Sequence, residues 1–541
     1  MTQPVLHPHP VAGNLSSNLL RSLKSFLTGE NPYRQGFFVL LGPLVALYMT
    51  TQLDLVPGNP VVTRAAAVAV WMGLWWLTEA VPLAVTSLLP MVLFPMLQVE
   101  TGKQVAPLYM NSIIFLFFGA FVIAIAMERW RLNKRIALAI IHAIGLSPTR
   151  LMLGFFAATA FLSMWLNNMA VTMMMVPTAL AILQKLDDLD DPVQQAASKK
   201  LGVGLLLGIA FSASIGGSAT LVGTAPNLVF VKIFQISFPN APEISFSQWM
   251  FFALPFAIAM VVAVWWILSL LYAPKGSELS VDPEIFEKER AELGPICYEE
   301  RAVLIIACLA AGLWITRSDI VLGFMTIPGW GSLFNGLAAD GNPLKFVDDG
   351  TVAMIAAMLL FLVPSKEQGA GNLMRWEDLQ KLPWDVIFLI GGGFALASGM
   401  VSSGLSEWIG AQLGAVQGMP PLMIVLVVSA LVVAMTTLLS NTATSQMVLP
   451  VLASVAVAIQ VNPLLLMIPT TVIASCAFIL PVATPPNAVV YGTRRVSIAQ
   501  MAYAGVFLNI LSIALLIGMI FLLGPLVFGI DVNHAPSWVS F

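Results

Sequence analysis

Apolar stretches of the length needed to cross a bilayer as a helix, about 18 residues, recur along nearly the whole chain. They predict spans near 36–51, 64–78, 81–97, 113–127, 203–233, 248–272, 302–316, 350–364, 385–402, 465–492 and 503–528. Two further apolar stretches, about 150–184 and 420–458, carry polar clusters at their centres, Ser163-Met-Trp-Leu-Asn-Asn168 and Thr436-Thr-Leu-Leu-Ser-Asn-Thr-Ala-Thr444. These two read as helical hairpins that enter and leave on one side. The expected fold is an all-α polytopic membrane protein of about 11 transmembrane helices and two re-entrant hairpins.

The chain repeats itself. Ile114-Phe-Leu-Phe-Phe-Gly-Ala-Phe-Val-Ile-Ala-Ile-Ala-Met127 matches Ile387-Phe-Leu-Ile-Gly-Gly-Gly-Phe-Ala-Leu-Ala-Ser-Gly-Met400, with seven identities in fourteen at an offset of 273. At that offset Ser163 meets Thr436, Asn168 meets Asn441 and Pro177 meets Pro450; further on, at 260, Thr224-Ala-Pro-Asn227 meets Thr484-Pro-Pro-Asn487. By the span count the first copy runs out-to-in and the second in-to-out, so the repeats are inverted, as in secondary transporters whose site lies between the halves near the bilayer midplane. The expected organisation is a cytoplasmic segment 1–35, a first repeat 36–272, a cytoplasmic linker 273–301 and a second repeat 302–530.

Composition agrees: 541 residues, 58% hydrophobic, and 10% charged where a soluble domain carries about 25%. With the N-terminus in the cytoplasm, 20 of the 25 Lys and Arg fall on the inner side, among them Arg129, Arg131, Lys134 and Arg135, against Arg64, Lys103, Lys232, Arg317 and Lys345 outside. This is the direction of the positive-inside rule, and it favours hairpins over extra crossings. The C-terminus then lies outside, and the expected location is a plasma membrane, the inner membrane of a bacterium. Residues 1–35 are polar and do not read as a cleaved signal peptide. Cys297, Cys308 and Cys476 have no spacing that suggests a disulfide framework or a zinc site.

Candidate chemistry sits at the hairpin centres and in two interrupted helices, about 203–233 and 465–492, where Ser214-Ile-Gly-Gly-Ser-Ala-Thr-Leu-Val-Gly-Thr-Ala-Pro-Asn227 and Ala483-Thr-Pro-Pro-Asn487 bring Gly and Pro into an apolar run. Backbone freed there can coordinate a cation, and helix N-termini at hairpin tips favour an anion. Asn, Ser and Thr serve both without a buried charge. The plainer readings are interhelical hydrogen bonding for the polar clusters and structural kinks for the prolines. No His falls in a span, no Lys or Arg falls in a tip or an unwound loop, and Glu79 and Glu128 sit at span ends, so sodium coupling is favoured over proton coupling. No phosphate-binding Gly-x-x-x-x-Gly-Lys-[Ser/Thr] motif is present, and Gly391-Gly392-Gly393 reads as close helix packing. Nothing calls for an organic cofactor, a nucleic-acid partner or an enzymatic activity.

Trp76-Leu-Thr-Glu-Ala-Val-Pro-Leu-Ala-Val-Thr86, Ser440-Asn-Thr442 and Ala474-Ser-Cys-Ala-Phe-Ile-Leu-Pro-Val-Ala-Thr-Pro-Pro-Asn-Ala-Val-Val490 resemble the divalent-anion/sodium symporter family over about residues 36–528. The resemblance implies a homodimer working as an elevator, with sodium co-transported with a small divalent anion, a C4-dicarboxylate, or citrate or sulfate; some members are sodium-independent exchangers. It implies one sodium site from Ser163, Asn167, Asn168 and the Gly223 carbonyl, and another from Thr436, the Leu439 carbonyl, Asn441 and the Ala483 carbonyl. Substrate carboxylates would meet Asn168, Asn441, Thr442, Thr224 and Thr484. This chain departs from the family pattern in the first half, reading Asn167-Asn168-Met169 where Ser-Asn-Thr is usual, so Met169 removes a substrate hydroxyl contact and an asymmetric grip is expected.

Overall fold

The computed structural model describes residues 33–187, 191–274, 284–321, 326–337, 343–412, 418–532 and 534–539. Most of the expected N-terminal segment, with His7, His9, Arg21 and Lys24, lies outside the described residues, as do 188–190 of the acidic loop and 275–283 of the linker. Among the described residues nine helical segments are long and apolar enough to cross a membrane. Their surroundings separate them. Pro192–Ser218 is buried along its whole apolar window, whereas Ile498–Phe528, with a mean hydropathy of 2.8, is buried over only 28% of its window. A helix apolar all round and wrapped by protein is an interior element; one apolar all round and uncovered suits lipid.

Pro192–Ser218 is the spine of the first half because its small residues admit close neighbours. A Cβ on Gly208 would fall 1.8 Å from the Phe156 ring, and one on Gly216 2.2 Å from the Ala160 carbonyl. Both partners belong to Pro148–Ser163, which turns at 164–167 into Asn168–Asp187. The second such pair is Pro421–Leu438 and Asn441–Ala458, turning at Leu439 and Ser440. The two central clusters of the sequence are thus short turns between consecutive helices.

Both interrupted helices break where Gly and Pro occur. Pro192–Ser218 ends before a non-helical stretch at 219–224 and Ala225–Ser237 resumes; Leu464–Ser475 ends before 476–484 and Pro485–Gly492 resumes. Pro226, Pro485 and Pro486 lie at the first or second helical position, where a missing N–H leaves nothing unpaired.

Two features differ from the pattern-based expectation. The stretch 81–97 is not one helix but Leu83–Thr86 and Leu89–Met96, restarted at Pro90. Its break is held by Tyr109, whose hydroxyl donates to the Ser87 carbonyl at 2.6 Å. The all-helical reading also gains two short antiparallel ladders, Ile320–Val321 with Thr326–Ile327 and Asn335–Leu337 with Pro343–Lys345. Beside them the buried Arg317 pairs with Asp349 at 2.5 Å and Glu243 at 2.6 Å, and Lys345 reaches Glu243 at 2.8 Å.

Gly391, Gly392 and Gly393 do serve close packing. A Cβ on each would fall 2.7 Å from Tyr109, 2.2 Å from the Ser87 carbonyl and 2.4 Å from the Gln446 side chain. Three of the four basic residues at the end of Ser112–Arg129 and after it are paired: Arg129 with Asp378, Lys134 with Glu289 at 2.6 Å, and Arg135 with Glu300 at 2.9 Å.

Candidate functional site

The two tips are built alike. The buried Ser163 hydroxyl lies 2.6 Å from Asn168 Oδ1 and 2.7 Å from the Ala213 carbonyl. In the second half the buried Thr436 hydroxyl lies 3.0 Å from Asn441 Oδ1 and 2.6 Å from the Ala474 carbonyl. In each case three oxygens share one hydroxyl hydrogen, a cluster of neutral oxygens of the sort a hard monovalent cation relieves. The match extends along the helices, where Thr172 donates to the Asn168 carbonyl at 2.8 Å and Ser445 to the Asn441 carbonyl at 2.9 Å.

Asn167 and Ser440 occupy one role at the turns. Asn167 Oδ1 accepts from the Met169 N–H at 2.9 Å, and Ser440 Oγ from the Ala443 N–H at 3.2 Å. Both are N-caps, for which Asn and Ser are equally suited. The replacement of Ser by Asn at the first tip therefore keeps the helix start.

The unwound stretches share an anchor that the sequence reading quoted but left out of the site. Asn227 Nδ2 donates to the carbonyls of Gly217 at 3.2 Å, Ser218 at 3.4 Å and Thr220 at 2.6 Å. Asn487 Nδ2 donates to those of Ala477 at 2.9 Å and Leu480 at 3.0 Å. Each amide sits in the helix after the break and closes the loop before it, and each leaves a buried Oδ1 without a hydrogen-bond donor. Gly223 and Gly217 pass so closely that a Cβ on Gly223 would fall 2.5 Å from the Gly217 carbonyl.

One cavity of about 360 Å³ joins the two halves. Its wall includes Asn167, Asn168 and Met169 of the first tip, Ser440, Asn441 and Thr442 of the second, Gly223 and Thr224 of the first loop, and Ala483 and Thr484 of the second. Ser163, Thr436 and Leu439 are buried and are not on this wall; the first two stand behind it against Asn168 and Asn441. Thr484 Oγ1 accepts from the Asn487 N–H at 3.3 Å, whereas the Thr224 side chain makes no such cap. The wall also contains Trp165, Phe117, Phe121 and Asp385, which local sequence signals did not single out.

Four helices begin at this wall: Asn168–Asp187, Ala225–Ser237, Asn441–Ala458 and Pro485–Gly492. An aligned helix presents about half a positive charge at its N-terminus, so the four together approach about two. No Lys, Arg or His lines the cavity. Among the described residues no group of three or more His, Cys, Asp or Glu is placed to hold a metal ion. The site can hold an anion by dipoles and amides, and cations by neutral oxygens.

Comparison with known proteins follows the same lines. A sodium-dependent dicarboxylate transporter of Staphylococcus saprophyticus is 42% identical over 501 residues, 92% of each chain. Its namesake in Staphylococcus aureus is 39% identical over 518 residues, 93% of this chain and 94% of that one. Two solved transporters share the fold at low identity. The Alcanivorax borkumensis YdaH transporter has a TM-score of 0.52 at 16% identity, covering 92% of this chain and 98% of that one. The antimetabolite efflux pump MtrF of Neisseria gonorrhoeae has 0.51 at 14%, covering 91% and 99%. Residues 40–530 match the family described as the sodium:sulfate symporter transmembrane region, and the chain belongs to that family of membrane transporters.

Proposed function

We propose that this protein is a sodium-coupled symporter of small dicarboxylates in a bacterial plasma membrane. The observation that carries the reading is the cavity flanked by two matched oxygen clusters, Ser163 with Asn168 and Thr436 with Asn441, and by four helix N-termini, with no cationic side chain on its wall. An anion held there without Lys or Arg gains its remaining countercharge from bound cations, which makes its affinity depend on sodium. Relatives named as sodium-dependent dicarboxylate transporters support a dicarboxylate, read here as a C4 diacid, over sulfate.

In this reading one sodium ion takes Ser163, Asn167, Asn168 and the Gly223 carbonyl, and the other Thr436, Asn441 and the carbonyls of Leu439 and Ala483. Carboxylates meet Asn168 with Thr224 and Asn441 with Thr442 and Thr484. The two helix pairs act as re-entrant hairpins of inverted repeats, and they move with the unwound helices as an elevator against the remaining helices of a homodimer, with the N-terminus in the cytoplasm.

The test is uptake of labelled succinate into proteoliposomes with an inward sodium gradient, with potassium replacing sodium, and with internal unlabelled succinate. Sodium-driven accumulation with no need for internal substrate is expected. Uptake that requires internal substrate and ignores sodium would make the protein an exchanger, and inhibition by sulfate stronger than by malate would overturn the substrate class.

A further inference from the structure

We infer that the two ends of the substrate cavity differ in polarity beside the carboxylate-binding groups, so that the protein takes diacids with an alkyl substituent next to one carboxylate and a hydroxyl only next to the other. The inference rests on the symporter reading above and adds the substrate class. Within the matched frame the loops agree, Thr224 facing the cavity opposite Thr484, and so do Asn168 and Asn441. The tips do not.

One residue beyond each Asn, the first half has Met169, 43% exposed and on the cavity wall, where the second has Thr442. Trp165 reinforces Met169 on that wall, while the residue matching it at the same offset, Leu438, is 70% exposed and not on the wall. Trp165 is fixed from behind: it stacks on Phe246 at 6.3 Å, and Phe246 stacks on Trp314 at 5.4 Å. The first end therefore offers a thioether and an indole to the substrate carbon next to the carboxylate. The second offers the Thr442 hydroxyl there, while the capping residues Asn167 and Ser440 are polar at both ends.

A diacid with one hydroxyl can turn so that it faces Thr442. One with a hydroxyl on each central carbon must strand one of them against Met169 and Trp165. Two methyls on a single carbon fit the apolar end without touching the polar one.

Succinate, 2,2-dimethylsuccinate, malate and tartrate are compared as competitors of labelled succinate uptake under a sodium gradient, and by the thermal stabilisation each gives the purified protein in sodium, which reads binding without transport. Wild type is expected to bind 2,2-dimethylsuccinate about threefold or more tighter than succinate, as a buried methyl allows. Malate should come close to succinate, and tartrate about tenfold or more weaker, for its unpaired hydroxyl. Met169→Thr should raise tartrate and lower 2,2-dimethylsuccinate, and Met169→Leu should keep the wild-type order. Tartrate matching malate in wild type, or an order unchanged by Met169→Thr, would overturn the inference. Loss of sodium-driven uptake with the binding order intact would instead overturn the symporter reading alone.

Discussion

The two unwound loops are closed by matching amides and have different supports. Asn227 and Asn487 close them equivalently, but beyond that the second loop has the local Thr484 cap while the first has two ties to other elements. The Thr220 hydroxyl donates to the Met164 carbonyl at 2.5 Å, joining the loop to its own hairpin tip, and Trp249 Nε1 donates to the Ser218 carbonyl at 3.0 Å. The position matching Thr220 is Leu480, which has no hydroxyl to offer. The paired oxygens Ser163 with Asn168 and Thr436 with Asn441 are repeated between the halves, whereas the ties behind the loops are not. The second loop, with fewer hydrogen-bonded ties, leans more heavily on Asn487.

The largest expected effect follows from that difference. Asn487→Ala leaves the Ala477 carbonyl unpaired, at roughly 1–3 kcal/mol, and leaves the Leu480 carbonyl only the Ala483 N–H, and it should cut sodium-driven uptake about a hundredfold at equal expression. Asn227→Ala frees the Gly217 and Thr220 carbonyls while Ser218 keeps Trp249, and with the Thr220 hydroxyl tie also intact a smaller loss of about tenfold is expected. Equal losses, or the reverse order, would show that the extra ties do not support the first loop.

Next come the matched hydroxyls. Ser163→Ala and Thr436→Ala each remove the oxygen at the centre of a three-oxygen cluster, and each should raise the sodium concentration for half-maximal uptake about tenfold. A sodium titration of uptake checks this. A shift confined to Thr436→Ala would sharpen the comparison, since it would mean that the Asn-Asn-Met tip does not bind sodium.

A smaller effect is expected at the caps. Asn167→Ser should leave the apparent Tm nearly unchanged, while Asn167→Ala and Ser440→Ala should each cost about 1 kcal/mol. If Asn167→Ser changes sodium affinity without changing stability, Asn167 acts as a cation ligand as well as a cap.

Much of this was legible in the chain itself. The hairpin turns, the two breaks and the pairing of Asn168 with Asn441 follow from polar residues, Gly and Pro interrupting apolar runs at a constant offset. The break after Thr86 was less visible, although Pro82, Pro90 and Pro95 flank it, because the run stays apolar and what holds it open is the distant Tyr109. The anchoring amides Asn227 and Asn487 stood in the quoted motifs without a role, since an Asn one turn into a helix shows its function only when the preceding loop folds back onto it. Trp165 and Phe121 stood in the quoted tip and repeat without a role, and Asp385 reaches the cavity with no local pattern to mark it.

The smallest effect on uptake tests whether the asymmetry between the loops has any energetic content. Thr220→Val preserves shape and removes only the hydroxyl, which makes the first loop resemble the second at this position. The Met164 carbonyl then loses its partner at the tip, and the Gly223 N–H loses the oxygen it donates to at 3.2 Å. Each loss carries on the order of 1 kcal/mol, so the apparent Tm should fall by a few degrees. Uptake should fall less than about threefold, and the sodium dependence should shift little, because the Ser163, Asn167 and Asn168 oxygens are untouched and Gly223 loses a partner at its N–H and not at its carbonyl. Combined with Asn227→Ala, however, the loop keeps only the Trp249 tie, and the double variant should lose far more than the product of the two single losses. Simple additivity would mean that the two anchors act on separate parts of the loop, and the first half would then be no better supported than the second.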